Sequence, residues 1–128
     1  MFGLFGSKDS SEKKEKEALP WQALTSMDQL DSIVEASNSI PIVIFKHSTR
    51  CGISRMVLRN FESTYDIDSS QIKLYYLDLL NYRNISDEVG YKFQVVHQSP
   101  QLIVIKNGVA VAHASHHSIR AEELTKFV

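Results

Sequence analysis

One stretch of this chain gathers the residue types that do chemistry: Lys46-His47-Ser48-Thr49-Arg50-Cys51-Gly52-Ile53-Ser54-Arg55. Cys51 is the single cysteine among 128 residues, so no internal disulfide framework exists. The thiolate is the nucleophilic form of a cysteine, and a helix start favours an anion through its free N–H groups and macrodipole. Between Lys46 and Asn60 stand four fixed cations, Lys46, Arg50, Arg55 and Arg59, and no carboxylate. The whole chain nets −1, so this positive charge is local. Arg55, four residues after Cys51, falls on the same helical face one turn later. A lone cysteine also serves as a small buried apolar residue. Here the stripe Ile53, Met56, Val57 and Phe61 supplies a core face without it, and Ser48, Thr49, Arg50 and Gly52 around it are polar or small. The expectation is a reactive thiol in an electropositive setting.

The elements that must position this thiol follow from hydrophobic period. Trp21 to Leu24 reads as a short first strand. Ser26 is a helix N-cap, and Met27, Leu30, Ile33 and Val34 recur at helical spacing until Asn38. Ile42-Val43-Ile44-Phe45 is a continuous β-branched and aromatic run, expected to be buried on both faces. Cys51 to Tyr65 is helical, Ile72 to Leu80 a strand, and Ser86 to Phe93 a helix. Leu102–Ile105 and Val109–Ala112 flank Lys106-Asn107-Gly108, where Asn-Gly provides the positive φ of a tight hairpin turn. Ser118 caps a last helix, Ile119 to Phe127. The order β-α-β-α-β-α-β-β-α predicts parallel strands with crossover helices, extended by an antiparallel hairpin. In such a sheet the strand-to-helix loop that carries Cys51 lies at the carboxyl edge, where ligands bind.

Composition bounds the rest. With 128 residues and a 43% apolar share the chain supports one domain with a real core. Residues 7–18 (SKDSSEKKEKEA) hold four Lys, four Asp or Glu, and Ala18 as the one apolar side chain. Such a segment buries too little to offset its ordering entropy, so residues 1–18 are read as a charged tail and 19–128 as the domain. No apolar run approaches the ~20 residues of a membrane span, and the N-terminus lacks the pattern of a secretory signal. Together with a single cysteine this points to a reducing compartment, the cytoplasm. Nothing in the charge or aromatic pattern points to nucleic acid.

A strand, then Cys-x-x-Cys or Cys-x-x-Ser at a helix start, then Ser99-Pro100 opening a strand, then Lys106-Asn107-Gly108 in a hairpin, resembles the thioredoxin superfamily over residues 19–128. Cys51-Gly52-Ile53-Ser54, its basic lead-in and Ser99-Pro100-Gln101 look more closely like the YtxJ-type monothiol bacilliredoxins. The resemblance implies a three-layer α/β/α thioredoxin-like fold with a central mixed sheet, and a monothiol redox protein that removes bacillithiol from protein mixed disulfides through Cys51. No cofactor is bound in this reading. Bacillithiol is the co-substrate, and S-bacillithiolated proteins and a low-molecular-weight thiol are the partners. The resemblance further implies a cis Ser99–Pro100 bond beside the thiol, with the Ser99 backbone pairing to substrate. Lys46, Arg50 and Arg55 are candidates for the carboxylates of bacillithiol, with Gly52 and Ser54 completing the substrate side of the site. Ser54 stands where dithiol relatives place a second cysteine, and Ile42–Phe45 lacks the buried carboxylate that serves that cysteine. Both departures describe a one-thiol relay of the kind used in stress responses.

Two other classes remain open on these residues. Monothiol glutaredoxins use a similar Cys-Gly-x-Ser to share an iron–sulfur cluster, though the Gly-Gly and acidic residue they carry after the proline strand are replaced here by Asn107-Gly108 and His113–Ser118. A non-catalytic stress or adaptor protein on the same fold is the other, with Cys51 as a target of thiolation. His113, His116 and His117 lack the cysteine or carboxylate that would complete a zinc set, so no metal is assigned. His47, four residues before Cys51, is a neighbour able to stabilise the thiolate when charged. Tyr75, Tyr76 and Tyr82 read as strand and rim packing.

Overall fold

The computed structural model describes residues 19–128. The charged tail assigned to residues 1–18, with Phe2, Leu4 and Phe5, lies outside the described residues. A five-stranded mixed sheet has the order β1-β3-β2-β4-β5. Its strands are β1 (Trp21–Ala23), β2 (Ile42–His47), β3 (Lys73–Asp78), β4 (Gln101–Lys106) and β5 (Val109–Ser115). β3 runs parallel to both β1 and β2, whereas β4 is antiparallel to β2 and to β5. Helices α1 (Met27–Ala36), α2 (Gly52–Thr64) and α3 (Arg83–Phe93) make the crossovers.

All six residues of β2 are buried, as a strand covered on both faces requires. Side chains alternate along it, so it feeds two cores. Ile42 and Ile44 pack with Leu30 and Ile33 of α1 and with Ile85, Val89 and Phe93 of α3. Val43 and Phe45 pack with Val57 and Phe61 of α2 and with Ile119, Ala121 and Leu124 near the C-terminus. The two cores make the molecule three layers. Among the described residues no helix is long and apolar enough to cross a membrane.

Local chemistry sets several boundaries. The Ser26 N–H donates to Gln29 Oε1 at 3.0 Å, tying off an otherwise free donor at the start of α1. Asn107 and Gly108 have φ of 53° and 79°, the left-handed pair that the tight hairpin needs. The hairpin tip hangs on the end of α1: the Asn107 N–H donates to the Ser37 carbonyl and the Gly108 N–H to Ser37 Oγ, both at 2.8 Å.

Two expectations are corrected. The inward face of α2 is Ser54, Val57 and Phe61, while Ile53 and Met56 are 48% and 40% exposed. Val57 and Phe61 define that face, and the position one turn earlier on it is residue 54, where a hydroxyl finds polar partners at the sheet edge. The C-terminal segment is not an α-helix from Ile119 to Phe127. It forms two 3₁₀ stretches, His116–Ser118 and Ala121–Phe127. Ala121, Leu124 and Phe127 all pack on the α2-side core at intervals of three, which suits three residues per turn.

Candidate functional site

β2 ends at His47, and four residues later Cys51 is the N-cap of α2, half-buried, with φ −100° and ψ 122°. The thiol therefore sits at the helix cap, one residue ahead of the first helical turn. No side-chain hydrogen bond caps this helix end, and its first turn carries no acidic residue. The loop that brings Cys51 there is held at Ser48, Thr49 and Cys51. The Cys51 N–H donates to the Ser48 carbonyl at 3.1 Å, the Arg55 N–H to the Cys51 carbonyl at 3.0 Å, and the Arg55 guanidinium to the Thr49 carbonyl at 3.1 Å. Arg55 thus folds back over the helix start. A Cβ built on Gly52 would lie 3.8 Å from Arg55 Nη2, in ordinary contact.

Beneath this loop Ser54 is fully buried. Its Oγ accepts the Ser48 N–H at 3.1 Å and lies 2.8 Å from His47 Nδ1. With one lone pair occupied by Ser48, the hydroxyl proton is available to an unprotonated Nδ1, the arrangement of a neutral imidazole. Burial accordingly lowers the His47 pKa below its ordinary value, Asp78 opposes that shift and Arg55 adds to it. His47 is therefore a neutral partner of Ser54 and not a cation beside the thiol. The sequence missed this pairing; a histidine and a serine seven residues apart across a strand-to-helix loop were the available signal.

The four cations do not gather at the thiol. Arg50 and Arg55 are exposed on the loop and the first turn, and Arg59 is exposed farther along α2. Lys46, expected among the cations that face substrate, is instead fully buried on the opposite face of the sheet from His47. Its ammonium donates to the Ser86 carbonyl at 3.1 Å and lies 3.4 Å from His97 Nδ1. Burial pulls its pKa down to about 8, against the pull of Asp87. The physical reason is alternation: Ile42, Ile44 and Lys46 share one face of β2, and that face packs on α1 and α3.

The loop from Gln94 to Pro100 brings the other half of the site to this edge. β2 and β4 are paired with Lys46 opposite Gln101, so the end of β2 and the start of β4, which Pro100 immediately precedes, lie at the same edge of the sheet. The Ser99–Pro100 peptide bond is cis. Pro100 is buried and its carbonyl accepts the His116 N–H at 3.1 Å. Ser99 Oγ is buried with no hydrogen-bond partner among the described residues. The structure thus brings Cys51, Gly52, Ser54, Arg55, Ser99 and Pro100 to one edge and takes Lys46 beneath it. His97 was not singled out in the sequence. His113, His116 and His117 are exposed, and among the described residues no three His, Cys, Asp or Glu side chains come together as a metal set.

Comparison with known proteins agrees with this geometry. Residues 22–124 match a family model described as "Monothiol bacilliredoxin BrxC". A solved structure described as having a thioredoxin fold is 28% identical, with a TM-score of 0.70, covering 83% of this chain and 91% of that one. The thioredoxin of Malassezia sympodialis is 23% identical with a TM-score of 0.63, covering 82% of this chain and 84% of its own. That of Trypanosoma brucei brucei is 19% identical with a TM-score of 0.61, over 82% and 84%. The last two establish the fold alone, which is that of thioredoxin.

Proposed function

Since the chain belongs to the monothiol bacilliredoxin family, a redox protein on a thioredoxin fold, we propose that Cys51 relays bacillithiol from protein mixed disulfides. The observation that supports this best is the pairing at the start of α2. A lone thiol occupies an uncapped helix end, and the residue three positions on is a serine whose hydroxyl is already committed to His47 and Ser48. One nucleophile is present and no second thiol resolves it.

In the proposed step the Cys51 thiolate attacks the bacillithiol sulfur of a client–S–S–bacillithiol disulfide. A new Cys51–S–S–bacillithiol bond forms as the old disulfide breaks. The client sulfur leaves as thiolate and takes a proton from water, so oxidation state is exchanged and not changed overall. The free N–H groups at the start of α2 favour the attacking anion. Arg50 and Arg55 are the exposed cations within reach of the carboxylates of bacillithiol, and the Ser99 backbone is the surface to which the client chain would pair. A second low-molecular-weight thiol or a partner protein then releases the bacillithiol from Cys51. Bacillithiol is a substrate here and not a resident cofactor. The compartment that fits this chemistry is the cytoplasm, and its setting a response to oxidative stress.

The test is direct. The full chain is incubated with an S-bacillithiolated client and both proteins are weighed by intact mass spectrometry. The client should lose one bacillithiol and the chain gain one on Cys51, with complete loss of transfer in Cys51→Ser. A client that keeps its bacillithiol in the presence of wild-type chain overturns the reading.

A further inference from the structure

A lysine on the inward face of a central strand is a costly side chain to bury. Taking an ammonium out of water costs several kcal/mol even after relaxation, and an apolar residue of the same volume is often neutral or better in its place. Lys46 is nonetheless fully buried, continuing the face set by Ile42 and Ile44, with no carboxylate within ion-pair distance among the described residues. Its two contacts are the Ser86 carbonyl on α3 at 3.1 Å and His97 Nδ1 at 3.4 Å. His97 is exposed over much of its surface, and its contact with Lys46 is part-buried. The benefit falls on the loop.

Gln101, opposite Lys46 in the register and also buried, binds the same loop from β4. Its Nε2 donates to the Val96 carbonyl at 2.9 Å and its Oε1 accepts the Gln98 N–H at 3.4 Å. Three successive loop residues, Val96, His97 and Gln98, are thus fastened by a carbonyl, a ring and an amide to two buried side chains of the central strands. The next two residues are Ser99 and Pro100. His97 has its pKa lowered by burial first and then by Lys46 and Arg83, with Asp87 opposing, which keeps Nδ1 free to accept from the ammonium.

We propose that Lys46 and His97 are positioning residues that hold the Val96–Pro100 loop beside the thiol, so that a client backbone meets Cys51 in a fixed orientation. This rests on the thiol-exchange reading above for its purpose, but not for its structural content. Oriented docking of reactants is worth orders of magnitude in rate, and a misplacement of about 1 Å can cost about a hundredfold.

Because His97 is exposed, its variants separate the idea from simple unfolding. In His97→Ala the ratio of bacillithiol transfer from a protein client to alkylation of Cys51 by iodoacetamide should fall about tenfold, since alkylation does not use the loop. In His97→Asn, whose Oδ1 can stand at the place of Nδ1, most of that ratio should return. Amide hydrogen exchange at Val96–Ser99 should quicken in His97→Ala and in Lys46→Met, but not in His97→Asn. An unchanged ratio together with unchanged loop exchange in His97→Ala overturns the proposal. Faster loop exchange in a chain whose wild type transfers nothing would uphold the positioning and remove the thiol-exchange reading instead.

Discussion

His47 and Lys46 are neighbours at the end of β2, both buried and both polar, yet they serve opposite faces of the sheet. On the α2 face His47 binds Ser54, and Ser54 in turn holds the Ser48 amide at the root of the thiol loop. On the α1 and α3 face Lys46 reaches His97 and the Ser86 carbonyl, and so bears on the loop that ends at Pro100. One device is neutral and closed, with His47 and Ser54 both buried. The other carries charge and ends on an exposed ring. The contrast teaches that a sheet edge can be furnished twice from consecutive residues, because alternation sends each to a different layer.

Among the polar pairings, the largest expected effect on stability falls on the closed side. Ser54→Ala removes the partner of both the His47 ring and the Ser48 amide, and leaving buried polar groups unpaired costs about 1–3 kcal/mol. A melting temperature lowered by several degrees should be accompanied by intact mass transfer to Cys51, though slowed. No loss of stability would mean that the His47 side is as loosely built as an exposed contact.

A second measurement separates the two sides by pH. The folded-state pKa of His47 lies below its ordinary 6.5, so the unfolded chain takes up the proton first. Stability from this group is present above pH 6.5 and is lost as pH falls below it. Lys46 releases its proton near pH 8 when folded and near 10.5 when unfolded, so the unfolded chain again holds more protons in that window. Stability should therefore rise between pH 8 and 10.5 because of Lys46. Chemical denaturation across both windows should show the acid slope reduced in His47→Gln, with His97 carrying the rest, and the alkaline slope abolished in Lys46→Met. A wild-type alkaline slope that persists in Lys46→Met would place the titrating group elsewhere.

The smallest effect sharpens the boundary of the α2 face. Ile53→Ser, at an exposed position beside the thiol, should change stability by no more than about 0.5 kcal/mol. Phe61→Ala, on the buried face, provides the reference at about 3–5 kcal/mol. Comparable losses in urea titrations would return Ile53 to the core.

Much of this was written in local chemistry. Ile42–Phe45 reads as a doubly covered strand because four large apolar residues in a row admit few other fates. Ser26 and Asn107-Gly108 mark a helix start and a hairpin because cap and turn geometry depend on a few adjacent atoms. Cys51 stands out as the single cysteine in a basic, carboxylate-free stretch, and the strand and helix on either side of it are legible from period alone. The C-terminal 3₁₀ stretch was not legible, since intervals of three and four compete there and the core decides between them. Nor was the orientation of α2: Ile53, Met56, Val57 and Phe61 are all apolar, and the helix rotates to place Ser54 inward only when His47 and the Ser48 amide wait there.

What the sequence by itself determined, then, was the order of elements and the place of the single cysteine, since backbone propensity, hydrophobic period and residue type act over a few neighbours. What only the tertiary structure decided was which polar groups meet. Lys46 looked like one of four surface cations until strand pairing put it beneath His97, fifty-one residues away. Ser54 looked like a vacant second-thiol position until it was found bonded to His47 and the Ser48 amide. Hydrogen bonds and desolvation are settled by distance in space, and that distance is set by the packing of whole layers.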